Sequence, residues 1–224
     1  MNDATALSIR GLKFRYEDGE ARSWTVDVSH LDLAPGEQVL LTGGSGRGKS
    51  TLLHLVAGLI DPKEGGVLVA GTDITALHGA KRDLFRGSKI GMIFQTFNLL
   101  HGFTALENVM AALMFSTIPA AEHASRAEKL LKHLGIDRVG ADPDRLSVGQ
   151  QQRVAVARAV ACDPVLVLAD EPTASLDPEN SAKAIELIQS VCREKNAALL
   201  CVSHDPEMKS RFARRATFEE LASK

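Results

Sequence analysis

Two short stretches of the chain carry residue types that could do chemistry on a phosphate group. GGSGRGKS, at residues 43–50, fits the pattern G-x-x-x-x-G-K-[ST], in which glycines let backbone N–H groups surround a phosphate. LADEPTASLD, at residues 168–177, ends an apolar run with the adjacent carboxylates Asp170 and Glu171. Burying unpaired charges is costly, so a metal ion beside a reacting phosphate would account for this pair.

The first stretch predicts a loop that binds the phosphates of a nucleotide. Lys49 would reach the β- and γ-phosphates, and the Ser50 hydroxyl would bind Mg²⁺. We expect the side chain of Arg47 to face solvent, with modulation of the site as the alternative. The alternative for the whole motif is a flexible glycine turn, which a strand before it and a helix after it disfavour. The predicted nucleotide-binding residues here are Gly43, Gly44, Ser45, Gly46, Arg47, Gly48, Lys49, Ser50 and Thr51.

The second stretch divides into two predicted roles. Asp170 would hold Mg²⁺ directly or through water, because this ion prefers oxygen ligands and retains several waters. Glu171 would lie beyond the metal and act as a general base or position the attacking water. The alternative is structural, with one carboxylate capping the turn and the other pairing with an arginine.

The surrounding pattern predicts the elements that position these residues. Residues 7–16 and 25–33 alternate with period two, as in half-buried antiparallel strands. Residues 103–160 have helical spacing, typical of a helical lobe. Strands alternating with helices indicate a parallel α/β sheet. The predicted buried strands are 38–42, 165–169 and 198–202, and the predicted flanking helices are 49–57 and 182–192.

Composition restricts the class of protein. With 224 residues, 45% of them apolar, the chain can form one large domain. The 26 basic residues nearly balance the 28 acidic ones, which gives no indication of a nucleic-acid partner. We expect no membrane span, because the longest apolar runs are short. We expect no secretory signal, because the N-terminal residues have no basic segment followed by a long apolar core. Three cysteines without metal-site spacing suit reduced thiols in the cytoplasm.

The run LSVGQQQRVAVARAV at residues 146–160 resembles the signature motif of ATP-binding-cassette ATPases. The order of the motifs also matches that family, and the resemblance extends over about residues 7–204. It implies an α/β fold with a P-loop NTPase, RecA-like core, an N-terminal antiparallel β subdomain and an inserted α-helical subdomain. The single domain would span residues 1–224, with the core and β subdomain at about 1–95 and 160–224 and the helical subdomain at 96–159.

The resemblance implies that the signature motif functions across the interface of a dimer. Ser147, Gly149 and Gln150 would bind the γ-phosphate of an ATP molecule held by the opposite subunit, at a helix N-terminus that attracts anions. Two copies would then enclose two ATP molecules head to tail. The loop at residues 175–177 resembles the segment that crosses this interface. Taken alone, the motif could be an ordinary helix cap.

Three further residues match the family pattern. Tyr16 resembles the aromatic residue that stacks on adenine, with a strand-edge aromatic as the alternative. Gln95 resembles the glutamine that links Mg²⁺ and the attacking water to the helical lobe. His204 resembles the histidine that contacts the γ-phosphate, although a lone histidine after a strand is usually structural. The predicted catalytic residues are therefore Glu171, His204 and Gln95, and the predicted metal-binding residues are Ser50, Gln95 and Asp170.

The resemblance also implies a membrane partner. Residues 97–100, followed by residues 104–109, look most like the subgroup that serves macrolide export, lipoprotein release and related exporters with short ATPase subunits. The contact with the membrane partner would lie near Gln95 to Phe103. A groove there, lined by Phe97, Leu99, Leu100 and Phe103, would accept a short helix of an integral membrane permease, unless these residues pack in the core. The chain would be a cytoplasmic ATP hydrolase on the inner face of the membrane.

Two other functions fit the same cassette. One is an ATPase that regulates a membrane protein without transport. The other is a DNA-repair or translation ATPase, which would carry a heptad insertion or usually a second cassette; the sequence has neither.

Two positions depart from the family pattern. Val148 replaces a glycine of the signature motif, and we expect little loss because it would point away from the phosphate. The segment at residues 211–224 lacks a strand–Asp-Gly–strand hairpin, so terminal strands are not expected. Its Arg211, Arg214 and Arg215 would form a solvated helix face, with a partner-binding patch as the alternative.

Overall fold

The computed structural model describes residues 5–17, 23–44 and 46–222. One sheet is antiparallel and contains β1 (Leu7–Phe14), β2 (Val26–Leu33), β4 (Glu64–Val69) and β5 (Thr72–Asp73), in the order β2-β1-β4-β5. β1 pairs with both β2 and β4. Its apolar side chains face a buried core, as the period-two pattern predicts. The predicted antiparallel strands are confirmed, with ends within two residues of the predicted ones.

The second sheet is parallel, and several of the predicted site residues lie at one of its edges. It contains β3 (Gln38–Thr42), β6 (Ile90–Ile93), β7 (Leu166–Asp170), β8 (Ala198–Ser203) and β9 (Arg214–Thr217), in the order β6-β7-β8-β3-β9. Every neighbouring pair runs parallel. The carboxyl ends of these strands therefore lie at one edge. The predicted α/β fold class is confirmed.

Strands β3, β6, β7 and β8 of the parallel sheet are largely buried on both faces, which explains why they are mostly apolar. In β7, Leu166 and Leu168 face the core shared with the antiparallel sheet. Val167 and Ala169 face the opposite core, which the helices cover. Asp170 thus ends a strand that is packed on both faces, and Glu171 directly follows it.

Seven α-helices surround the sheets in the described part of the chain. Helices α3, α4 and α5 contribute to one apolar cluster, within the region predicted to form the helical subdomain. The boundaries 96–159 of that subdomain stay a prediction, and α5 continues one residue beyond them. The helices are α1 (Lys49–Val56), α2 (Gly79–Lys89), α3 (Ala105–Leu113), α4 (Ala120–His133), α5 (Val148–Val160), α6 (Pro178–Glu194) and α7 (Phe218–Leu221).

The C-terminal segment corrects the sequence-based expectation. A terminal strand was not expected, yet β9 pairs with the edge of β3. Arg214 lies on this strand, not on a helix, and donates hydrogen bonds to the Asp32 carbonyl and the Glu37 carboxylate, both at 2.8 Å. The strand satisfies edge N–H and C=O groups of β3. The four residues of β9 include no fully buried side chain. The sequence of this strand therefore has no apolar pattern from which it could be predicted.

The arginines of this segment are exposed, as expected for a solvated face. Arg211 ends a 3₁₀ helix (Pro206–Arg211), and Arg215 lies on β9. The predicted helix face is therefore wrong in its secondary structure, although the solvent exposure is confirmed. Among the described residues, no helix has both the length and the apolar character needed to cross a bilayer.

Candidate active site

The glycine-rich loop connects the end of β3 with the start of α1. Gly46 and Gly48 have φ angles of 73° and 86°, a region that favours glycine. A Cβ atom at Gly48 would lie 2.2 Å from the Thr25 carbonyl oxygen, so the close approach of these two backbone segments requires glycine. Ser45, another predicted member of the loop, lies outside the described residues.

Lys49 is buried where the loop enters α1. Its ammonium group donates hydrogen bonds to the carbonyl oxygens of Gly43 and Gly44, both at 2.9 Å. A buried ammonium group needs such acceptors. The loop thus fixes a cation beside the backbone predicted to surround the phosphates.

The end of β7 meets the start of α1 through two predicted metal-binding residues. The Ser50 hydroxyl donates a hydrogen bond of 3.1 Å to Asp170 Oδ1. A hydroxyl and a carboxylate at this separation form an all-oxygen donor set, the type that Mg²⁺ prefers when phosphate and water complete its shell. The tertiary structure therefore brings together two residues 120 positions apart.

Glu171 adopts a left-handed backbone conformation, with φ at 45°, which is uncommon for a residue with a side chain. Its carboxylate accepts a 3.0 Å hydrogen bond from the Ser203 hydroxyl and a 2.7 Å bond from Nδ1 of His204. The backbone N–H of His204 also donates a hydrogen bond to this carboxylate, at 3.1 Å. These bonds hold the carboxylate at the sheet edge, and its side chain is only 13% exposed.

Gln95 follows β6 at the same edge of the sheet. The register pairs Ile93 with Ala169, so Gln95, two residues after β6, comes level with Glu171, which follows β7. The Ser175 hydroxyl donates a 3.2 Å hydrogen bond to the Gln95 carbonyl. This bond links Gln95 to the loop that precedes α6.

Tyr16 lies just beyond β1 and remains 55% exposed. Its hydroxyl lies 3.3 Å from the Thr51 hydroxyl of α1. Phe14 contacts the ring edge to face, with centroids 4.9 Å apart. An exposed aromatic ring tied to the first turn of α1 can stack against a flat base.

The signature residues form the N-terminus of α5. Ser147 caps the helix and exchanges hydrogen bonds with Gln150, at 3.3 Å and 3.0 Å, in a capping box. A Cβ atom at Gly149 would have no neighbour within 4 Å, and Val148 is 50% exposed. Within the described part of the chain, no hydrogen bond joins Ser147 or Gln150 to the glycine-rich loop.

Asp177 has a local role in addition to the predicted interface. Its side chain caps α6 by accepting a 3.0 Å hydrogen bond from the Asn180 N–H. The backbone hydrogen bond from Asn180 lowers the pKa of this carboxyl below its ordinary value. The cap fixes the end of the loop that contains Ser175.

Sequence reasoning missed three residues that support the site. Ser203 is fully buried and binds Glu171; its position directly before His204 was the available clue. Gln152 of α5 donates a buried 3.2 Å hydrogen bond to the Pro172 carbonyl. Arg158 donates to the Phe97 and Asn98 carbonyls at 2.6 Å and 2.5 Å.

Burial lowers the pKa of the Arg158 guanidinium. The two carbonyls it binds belong to residues with φ angles of 58° and 47°, so Arg158 stabilises an unusual backbone conformation after Gln95. Both Gln152 and Arg158 lie on α5, in the run that resembles the signature motif. Their partners could not be identified without the fold.

Comparison with known proteins supports the same assignment. The family described as ABC transporter matches residues 26–174. The lipoprotein-releasing system ATP-binding protein LolD of Rhodopseudomonas palustris (strain BisB5) is 40% identical over 219 residues, covering 97% of this chain and 94% of that protein. The ABC transporter ATP-binding protein YtrE of Bacillus subtilis (strain 168) is 42% identical over 185 residues, covering 82% and 80% respectively.

Solved structures with the same architecture include ATP-binding cassettes. The cassette MJ0796, described as a dimer in a post-hydrolysis state bound to ADP and Pi, aligns with a TM-score of 0.82 and 33% identity over 94% of this chain and 93% of that one. The protein cbiO1 of Clostridium perfringens, part of the ABC transporter complex cbiONQ, aligns with a TM-score of 0.78 and 27% identity over 90% and 79%. The chain therefore belongs to the ABC transporter family and is an ATP hydrolase of that family.

Proposed function

We propose that this chain is the Mg²⁺-dependent ATPase subunit of a transporter, and that two copies bind ATP head to tail to drive a separate integral membrane permease. The observation that carries the proposal is that the two adjacent carboxylates, Asp170 and Glu171, have different hydrogen-bond partners. Asp170 accepts a hydrogen bond from Ser50 of the glycine-rich loop. Glu171 is instead held by Ser203 and His204.

The metal-binding role belongs to Ser50 and Asp170, with Gln95 as the third proposed protein group. Their oxygen atoms fit Mg²⁺, which would neutralise charge on the phosphates when bound. Lys49 supplies a fixed positive charge at the loop. Together these groups would orient the terminal phosphate toward the end of β7.

Glu171 would position the attacking water and accept its proton. Its carboxylate is already held by three donor groups, which limits the reorganisation needed at the moment of reaction. The His204 side chain is 62% exposed and would contact the γ-phosphate. Tyr16 would stack on adenine, with its hydroxyl restrained by Thr51.

Each site would be completed by the opposite subunit. Ser147, Gly149 and Gln150 lie at the N-terminus of a 13-residue helix, where backbone N–H groups attract anions. Their accessible position supports contact with the γ-phosphate held by another copy. The dimeric form described for the MJ0796 cassette supports this arrangement.

A groove between α2, α3 and α5 is the proposed docking site for a short helix of the permease. Its cavity volume is about 490 Å³, and Phe94, Ala112 and Phe115 contribute to its lining. This groove lies beside the predicted one. Phe97 is instead buried, at 7% exposure, and Leu99 packs against the core.

The remaining predicted groove residues, Leu100 and Phe103, are 41% and 47% exposed, and neither lines this cavity. Docking there would place the chain peripherally on the cytoplasmic face of the membrane. The 40% sequence identity to the lipoprotein-releasing protein LolD supports a partner that extrudes lipoproteins, lipids or peptides. We expect no nucleic-acid partner.

Glu171→Gln tests the hydrolysis mechanism. ATP binding should persist, while turnover should fall by about two orders of magnitude or more because the proton acceptor is lost. An ATP-dependent dimer should accumulate in size-exclusion chromatography with light scattering. Glu186→Gln, an exposed change on α6, is the matched control. Turnover of Glu171→Gln equal to the wild type would contradict the assignment.

A further inference from the structure

Arg47 occupies a distinctive position within the glycine-rich loop. It lies between Gly46 and Gly48, both of which have positive φ angles. Its Cγ atom would be 3.5 Å from a Cβ atom built at Gly44, so the side chain extends back along the loop. The side chain is 66% exposed. An exposed cation is therefore attached to the backbone proposed to bind the phosphates.

A carboxylate of the C-terminal segment lies within ion-pair distance of this cation. Arg47 Nη1 lies 4.0 Å from Oε1 of Glu219, whose side chain is 56% exposed. A long, exposed ion pair of this type is weak and easily exchanged. The pair can therefore separate when a stronger anionic ligand approaches the guanidinium.

The fold fixes the position of Glu219 beside the loop. β9 pairs with β3 through Thr42 and Thr217, immediately before the loop and α7 respectively. Phe218 is buried, and its Cβ atom is 3.2 Å from the position of a Cβ atom at Gly43. The Ser29 hydroxyl donates a 3.1 Å hydrogen bond to the Leu221 carbonyl. Contacts at both its first and its last residue thus hold α7 against the rest of the protein.

We infer that Arg47 is an additional phosphate-recognition residue and that Glu219 competes with the nucleotide for its guanidinium. Arginine binds phosphate oxygens through two parallel hydrogen bonds, which the 4.0 Å contact with Glu219 does not provide. A polyphosphate bound in the loop would replace Glu219 as the partner of the Arg47 guanidinium. The C-terminal segment then adjusts nucleotide affinity through one carboxylate.

This inference rests on the proposed ATP-binding function and deepens it, because it assigns a specificity role to the side chain at a variable position of the loop and to one residue of the C-terminal segment. The competition should favour a triphosphate over a diphosphate, since a triphosphate carries more charge and more acceptor oxygens. It should also weaken with added salt, because both side chains are exposed to solvent.

Isothermal titration calorimetry with AMP-PNP and ADP, in the presence of Mg²⁺, tests the inference on the full chain. Arg47→Ser should weaken AMP-PNP binding by about tenfold, the effect of one charge-assisted contact, and ADP binding by less. Arg47→Lys should recover part of the loss. Glu219→Gln should strengthen AMP-PNP binding by about two- to threefold, the scale of a weak surface pair.

The double variant distinguishes competition from a purely structural role. Glu219→Gln should have no effect on affinity in the Arg47→Ser background, because the cation for which it competes is gone. Glu207→Gln, an exposed change shortly before the C-terminal segment, is the control. Equal affinity gains from Glu219→Gln in both backgrounds, or unchanged binding in Arg47→Ser, would overturn the inference. Failure of the wild type to bind AMP-PNP would instead reject the proposed function.

Discussion

Nδ1 of His204 donates a 2.7 Å hydrogen bond to Oε1 of Glu171, joining the ends of two adjacent strands. The carboxylate has no proton to donate when it is ionised, so Nδ1 is the donor. This leaves Nε2 of the exposed imidazole available for another ligand. The pair thus combines a restrained carboxylate with an imidazole whose Nε2 can donate to a phosphate oxygen when that nitrogen also carries a proton.

His204→Ala should lower the turnover number for ATP hydrolysis by about two orders of magnitude, the range for loss of a positioned catalytic group. The Michaelis constant should change less, because Lys49 and the loop, the proposed phosphate-binding groups, are unchanged. Steady-state phosphate release measures both quantities. His30→Ala, on β2 and exposed, should match the wild type. A change confined to the Michaelis constant would contradict a role in the hydrolysis step.

Ser203→Ala should reduce turnover by about three- to tenfold, because Glu171 loses one of the hydrogen bonds that orient it. Since Ser203 is buried, unfolding should also require about 1–3 kcal/mol less free energy. Urea denaturation and an ATPase assay provide these measurements. Ser210→Ala removes an exposed hydroxyl as the control. If Ser203→Ala keeps full turnover while losing stability, the hydroxyl does not position Glu171 for catalysis.

Arg158→Met should lower the free energy of unfolding by about 2–4 kcal/mol, because two carbonyls lose their charged donor. The backbone after Gln95 should become more mobile, which amide hydrogen exchange at Phe97 and Asn98 would detect. Arg153→Met is the comparison, since Arg153 is exposed and donates one 2.9 Å hydrogen bond to the Leu134 carbonyl. Equal losses in the two variants would argue against a special role for Arg158.

Phe115→Glu should reduce recovery of the integral membrane partner by about tenfold in affinity purification from solubilised membranes, the scale of one lost apolar anchor. Phe115 lines the groove and is 54% exposed. Phe103→Glu is a matched variant, because Phe103 is 47% exposed but lies outside the groove lining. Loss of the partner with Phe103→Glu alone would place docking on the segment predicted from the sequence.

Cys192 and Cys201 should resist thiol reagents in the folded protein at pH 8. Burial raises the pKa of Cys192 to about 12, and burial also raises the pKa of Cys201. Only the thiolate reacts, so raising the pH toward 12 should speed modification of Cys192. Cys162 is only partly buried and should react first. Timed labelling and peptide mass spectrometry, with a urea-unfolded control, would test this order; rapid labelling of Cys201 would contradict it.

The stability linked to Cys192 has a defined sign. Its folded pKa of about 12 exceeds its ordinary value of 9.0, so the neutral thiol is favoured by the fold. This contribution is complete below pH 9 and is lost as the pH rises toward 12. Cys192→Ala should therefore make the unfolding free energy less sensitive to pH in this range.

The sequence by itself determined the fold class, the family and the position of each motif along the chain. Local patterns carry this information: period-two alternation predicts β1 and β2, and glycines before Lys49 permit a backbone that other residues disfavour. The resemblance at residues 146–160 added the expected ATPase activity. None of these patterns requires knowledge of which distant residues touch.

The tertiary structure decided the contacts between distant segments. It brought Ser50 to Asp170 and Ser203 to Glu171 because the parallel strands end at one edge. It also added β9, whose exposed residues have no apolar pattern but satisfy an unpaired strand edge. The proximity of Arg47 to Glu219 follows from that pairing. Such contacts depend on sheet order and register, which local residue preferences do not specify.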